Sequence, residues 1–294
     1  MSQVDPTVSA TAPGAGPRGR PRGLFRSELR LTFRRGRTLA LLGVLLAVPV
    51  LVGLAVEIET GDGGSRRGGG GGPAFLAQVT HNGLFLVFTA LAVTLPFFLP
   101  MTVGVVAGDS LAGEAHTGTL RYLLVAPAGR TRLLLVKFGA VAAFCLVATL
   151  TVAVSALVVG AVLFPFSDVT LLSGSTVPLG EGMLRALLIA VLVAASLLGT
   201  AAVGLFVSTL TDSGIGAMAA TVGVLITVQI LDGIPQLDAV HPYLFTHHWL
   251  SFAEVLREPV RWGPVLDNLG LQALHVAVFG SAAWARFTSR DVKS

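Results

Sequence analysis

The chain has 294 residues, 53% of them hydrophobic and only 12% charged, and its net charge is +4. Soluble globular chains carry about 25% charged residues. The deficit excludes a disordered chain, a nucleic-acid-binding domain and an ordinary soluble enzyme, and it points to an all-α, polytopic membrane protein.

Residues 1–21 are rich in Pro, Gly and Arg and read as a disordered tail, not a secretory signal, because they lack a short apolar core with a cleavage site. Of the 18 Arg residues, eight precede residue 38, an asymmetry that suits membrane topology better than a nucleic-acid footprint. Residues 22–37 form an amphipathic helix. Phe25, Leu29 and Phe33 recur every four residues, and Arg26, Arg30 and Arg34 form the adjacent row with Arg22 in phase. An apolar stripe edged by guanidinium groups suits an interfacial helix at the cytoplasmic lipid surface.

A helix needs about 20 apolar residues to cross the hydrocarbon core. The apolar runs predict six spans, at about 38–56, 83–106, 134–163, 186–208, 213–231 and 268–285, within a transmembrane domain over 38–290. The last is the weakest, since it contains Asn268, Gln272 and His275. Pro96 and Pro100 predict a kink in the second, either static or a gate hinge. In the fourth, Ser196, Thr200, Gly204 and Ser208 form a small-residue stripe for close helix approach or for a pathway. Asp212 is placed to cap the fifth. Cys145, the single cysteine, lies in an apolar run and reads as a buried, inert thiol.

Six spans put both termini on one side. That side holds 15 of the 20 Lys and Arg residues, and the positive-inside rule makes it the cytoplasm of a cell-membrane protein. On the other side lie the flexible glycine-rich loop 61–72 and the segment 232–267. The latter is too short in apolar run to span, and its aromatic residues suggest interfacial or re-entrant helices.

The cytoplasmic loop 107–133 carries the most information. Glu114 and Gly118 precede a short amphipathic turn with Leu120, Leu123 and Leu124. Pro127 breaks it, Arg130 follows, and Lys137 stands at the membrane entry. Leu120 and Leu124 share a face that so small a loop cannot bury, so they need a membrane surface or a partner. Together with Thr119, these residues read E-x3-G-T-L-x2-LL-x2-P-x2-R…K. This pattern resembles the permease subunits of type-2 ABC transporters, most nearly the six-helix bacterial kind encoded apart from its ATPase. The resemblance extends over about residues 22–290 and departs at Arg121 and at Ala128-Gly129.

The resemblance implies that Glu114, Gly118, Leu120, Leu123, Leu124, Pro127 and Arg130 form a coupling segment docked on an ATP-binding subunit. It implies that 22–37 is the elbow helix and 232–267 the re-entrant pair before the last span. Two permease chains, identical or different, would pair with two copies of the ATPase, and ATP and Mg would lie on that partner. It also implies export. Faces near Pro96, Pro100, Thr102, Thr200 and Gly204 would line the path or a dimer seam.

No G-x4-G-K-[ST] loop occurs, so the chain has no phosphate cradle of its own, and it reads as non-catalytic. Apart from Lys137 at the membrane entry of the third, the apolar runs hold no Asp, Glu, Lys or Arg, whereas ion-coupled pumps usually keep such groups within the membrane. His241 and His248 are able to share a helical face, but no acidic or Cys partner lies at a zinc spacing, so no metal is expected. His275 is expected to hydrogen-bond between helices. A secondary transporter or channel would act without nucleotide. A membrane enzyme would need a catalytic set that is missing. A non-transporting anchor would use the same loop to recruit its partner.

Overall fold

The computed structural model describes residues 21–61, 82–116 and 129–289. Nine α-helices occur among them: α1 Pro21–Arg34, α2 Gly36–Gly61, α3 Phe85–Thr94, α4 Phe98–His116, α5 Arg130–Leu163, α6 Leu179–Ser196, α7 Leu198–Leu210, α8 Gly214–Asp232 and α9 Trp262–Ser289. Four segments are long and apolar enough to cross a membrane: Gly36–Ile58, Arg130–Leu163, Leu179–Leu210 and Gly214–Asp232. The bent pair α3–α4 makes a fifth if it counts as one span. In hydrocarbon a helix satisfies its own backbone, which is why long apolar runs become helices. α9 is 28 residues long but is not among the apolar segments, because Asn268, Gln272 and His275 dilute its run.

The pair α3–α4 bends by 54°. Pro100 has no N–H to give to the Pro96 carbonyl, so the helix loses that bond. The side-chain amide of Gln229, on α8, donates to that carbonyl instead. Thr94 Oγ1 donates to Ala90 O at 2.7 Å on the other side of the break. Pro96 is exposed and Pro100 buried. Gln229→Leu is expected to cost about 0.5–1.5 kcal/mol by removing the donor to the Pro96 carbonyl. A lowered thermal midpoint of the purified protein in detergent checks this.

Small residues set the packing of α4, which lies mainly against α7 and α8. A Cβ at Gly108 would stand 3.0 Å from both Ala217 O and Met218 Cα, so α8's backbone leaves no room for a side chain there. Gly204 approaches Ala107 and Thr221 in the same way. Ser208 Oγ accepts from Leu111 N at 3.0 Å and Ala112 N at 2.9 Å, joining α7 to α4. α8 is capped by Ser213, whose Oγ accepts from Gly216 N at 3.1 Å. This replaces the expected cap at Asp212: the β-region backbone of Ser213 aims its hydroxyl at the first-turn N–H.

At the end away from the Arg-rich helix, β1 Val169–Thr170 and β2 Thr176–Val177 form a two-residue hairpin, with Gly174 at φ +86° in its turn. Beyond α8 the chain runs through 3-10 turns at Pro235–Leu237, His241–Tyr243 and Trp249–Leu256. Arg185 clamps the last of these to α6. Its guanidinium donates to Val255 O at 2.8 Å and Arg257 O at 3.1 Å, and it pairs with Glu181 at 2.6 Å and Glu258 at 2.5 Å.

Candidate functional site

The Arg-rich end gathers six ionisable side chains from four helices. Glu28 lies on α1 beside the apolar positions Phe25 and Leu29, so seating that face brings the carboxylate inward with it. Phe33 meets Phe144 with ring centroids 6.1 Å apart, and the Phe25 ring lies over Gly139, both on α5. Leu29 is half-buried, whereas Arg26, Arg30 and Arg34 are exposed. The stripe thus rests on α5, with the guanidinium row facing outward.

Behind that contact, Lys137 of α5 is 2% exposed. Its Nζ donates to Glu28 Oε2 at 2.9 Å and also pairs with Glu114, which is 4% exposed and lies in the last turn of α4. One turn and a half earlier on α4, Asp109 Oδ2 accepts from both Arg35 and Arg37, at the junction of α1 and α2. Three cations face three anions, so the set is neutral. An isolated charge as buried as Lys137 or Glu114 would be costly, and the pairing offsets part of that cost. A cavity of about 1040 Å³ opens beside the set, lined among others by Ser27, Glu28, Asp109, Glu114, Ser213 and Met218.

The uncharged runs therefore understate the helices that contain them. α4 continues through Asp109 to Glu114, and α5 begins before Lys137. Lys137, read from sequence as a membrane-entry marker, is the shared partner of two carboxylates. Glu28 gave no separate signal, because its companion is 109 residues away. A carboxylate on the apolar side of a basic helix was the one available hint.

Glu114 and Arg130 flank the loop from opposite sides. Arg130 Nη1 donates to Thr288 O at 2.8 Å, and Trp284 Nε1 donates to Thr131 Oγ1 at 2.9 Å, so the first turn of α5 is held to the end of α9. Gly118, Leu120, Leu123, Leu124 and Pro127 lie outside the described residues.

The residues singled out in the spans lie mostly inside the bundle. Thr102, Ser196, Thr200 and Ser208 are buried, and so is Gly204. Thr102 Oγ1 donates to Leu99 O at 2.8 Å, and Ser196 Oγ to Leu192 O at 2.9 Å. Ser196 also anchors a polar network. Asn268 Nδ2 donates to its Oγ at 2.6 Å, and Trp249 Nε1 donates to its carbonyl at 3.0 Å. Gln272 Nε2 donates to Phe245 O at 2.8 Å and to Asn268 Oδ1 at 3.1 Å, while its Oε1 accepts from Gly199 N at 3.2 Å. The polar residues that weaken α9 as an apolar run are thus paired in the interior. His275 bonds within its own helix, to Leu271 O at 2.9 Å, and its ring packs on Phe245 and Phe279 instead of bonding across helices. Cys145 is buried and free.

Helices of this length and apolarity define a multi-pass α-helical membrane protein. The chain belongs to the DUF2705 family, proteins of unknown function, whose profile matches residues 72–292. No protein of curated function is a significant match.

Proposed function

We propose that this chain is the membrane-spanning subunit of an ATP-driven ABC exporter, with six spans and both termini in the cytoplasm. The spans are α2, the bent pair α3–α4, α5, the pair α6–α7, α8 and α9. The observation that carries the reading is the placement of Lys137 between Glu114 and Glu28. Of the loop 107–133 expected from the sequence, residues 107–116 belong to α4 and 130–133 to α5, so the connection is residues 117–129, and one buried cation ties both helices to α1. A displacement of the loop by a docked ATPase is then shared by three helices at once. Buried polar pairing of Asn268 and Gln272 supports α9 as a span despite its composition. The chain performs no covalent chemistry in this reading. Two copies of a separate ATP-binding subunit supply the energy, and a second permease chain completes the path.

The test is co-expression with an ATP-binding subunit encoded by an adjacent gene, followed by purification and ATPase assay. The wild type is expected to co-elute and to stimulate hydrolysis. Leu124→Asp is expected to weaken association about tenfold or more, because it places a charge in an apolar docking groove. Glu114→Ala is expected to lower stimulation while the membrane part stays folded. An adjacent gene without Walker motifs, or no association, overturns the reading. Association without transport makes the chain a membrane anchor instead.

A further inference from the structure

At the end of the bundle opposite the ion cluster, Asp232, His241 and His247 converge, with one potential ligand atom from each lying within 4.8 Å of the others. The three come from the last residue of α8, the 3-10 turn His241–Tyr243 and the turn just before Trp249, so no regular sequence spacing announces them. The sequence pairs His241 with His248 by helical periodicity. The fold pairs it with His247 instead, and the acidic partner is Asp232, nine residues before His241.

The hydrogen bonds around the three prepare them for a cation. His241 Nε2 lies 3.1 Å from Leu231 O and 3.1 Å from Ile234 O. Carbonyl oxygens only accept, so Nε2 carries a proton, and the ring nitrogen left to meet a cation is Nδ1, which also lies 3.8 Å from Asp238 Oδ1. Metal-ligating histidines are typically held in this way, with the second ring N–H donated to a carbonyl. Asp232 Oδ2 accepts from Thr246 Oγ1 at 3.1 Å, which orients the carboxylate and leaves Oδ1 facing His247 Nδ1 at 2.8 Å. That short contact holds a proton that a cation displaces. His247 is exposed and Asp232 half-buried, so the site has a route to solvent.

We infer that Asp232, His241 and His247 bind a divalent transition ion of the zinc class, with a fourth position left to water. Two imidazoles and one carboxylate match the ligand preference of such ions over calcium or magnesium. Four-coordinate zinc sets neighbouring ligand atoms ~3.4 Å apart, so on binding Asp232 Oδ1 and His247 Nδ1, now 2.8 Å apart, open slightly to admit the ion while His241 turns toward it. The ion staples the end of α8 to the turns that carry Trp249 onto Ser196. The inference does not depend on the transport reading.

The experiment uses the full chain purified in detergent, treated with chelator, and titrated with Co2+ alone. One equivalent is expected to produce a visible d–d band, which Zn2+ then bleaches by displacement. His241→Ala and His247→Ala are expected to weaken binding about 100-fold and Thr246→Val about tenfold, the last through the orienting hydroxyl. His116→Ala, at the opposite end, is expected to bind as the wild type does. A wild-type protein without a stoichiometric band overturns the site, and this holds even if the ligand variants fail to fold. An affinity unchanged in monodisperse His241→Ala or His247→Ala also overturns it, as does loss of binding in His116→Ala.

Discussion

Lys137→Met is expected to destabilise the membrane part by about 3–5 kcal/mol, the usual cost of removing one partner from a buried ion set. Lys137 bonds both Glu28 and Glu114, and both carboxylates are buried. Methionine keeps the length of the stem and removes the charge, so Glu28 and Glu114 both lose the cation they share across α1, α4 and α5. Thermal melting of purified protein in detergent reads the effect. The triple variant Lys137→Met, Glu28→Gln, Glu114→Gln is expected to regain most of the loss, because a neutral set needs no counter-charge. A triple variant as unstable as the single one would show that the lysine acts through packing. A single variant that melts with the wild type would remove the cluster as the joint between these helices. Under the transport reading, the triple variant separates folding from coupling: it folds, but a pull on the loop no longer reaches α1 through a charge.

The apolar runs disclosed α2, α5, the α6–α7 pair and α8, because hydrocarbon imposes a length and a composition that any window registers. The bend near Pro96 was readable too, since a missing N–H is a property of one residue. What took the missing bond was not readable. Gln229 lies 133 residues from Pro96 and looks like any polar residue near a helix end. The same limit hid the ion cluster. Glu114 and Arg130 stood out by local pattern, but Glu28, Asp109, Arg35 and Arg37 acquire meaning only when α1 folds back on α5 and α2 meets α4. Asp212 drew attention as the only acid in its turn, yet the backbone conformation selected Ser213 as the cap. In each case composition identified the element, and the long-range contact decided what its polar residues do.

Gln272→Leu is expected to be the most damaging change at the opposite end, at about 2–5 kcal/mol. It strands the Gly199 N–H and the Phe245 carbonyl, each a buried group worth about 1–3 kcal/mol when left unpaired. Gly199 sits in the first turn of α7, just after the break at Leu197, so its N–H is one of the orphan donors of a helix start and Gln272 serves as its cap. Gln272→Glu keeps that acceptor but turns oxygen toward the Phe245 carbonyl and toward Asn268 Oδ1, so it is expected to be at least as severe while ionised. Hydrogen exchange across Trp249–Leu256 is the discriminating measurement. Faster exchange there, with α1 and α5 unchanged, is the expected result, because Trp249 reaches Ser196 only through the carbonyl beside this network. Uniform loosening of all helices would mean that the network has no local role. Combined with Lys137→Met, the losses are expected to add to within about 0.5 kcal/mol, since the two sets share no partner. A larger interaction term would show that the two ends of the bundle communicate through the spans between them, the property that a transporter driven from one end requires.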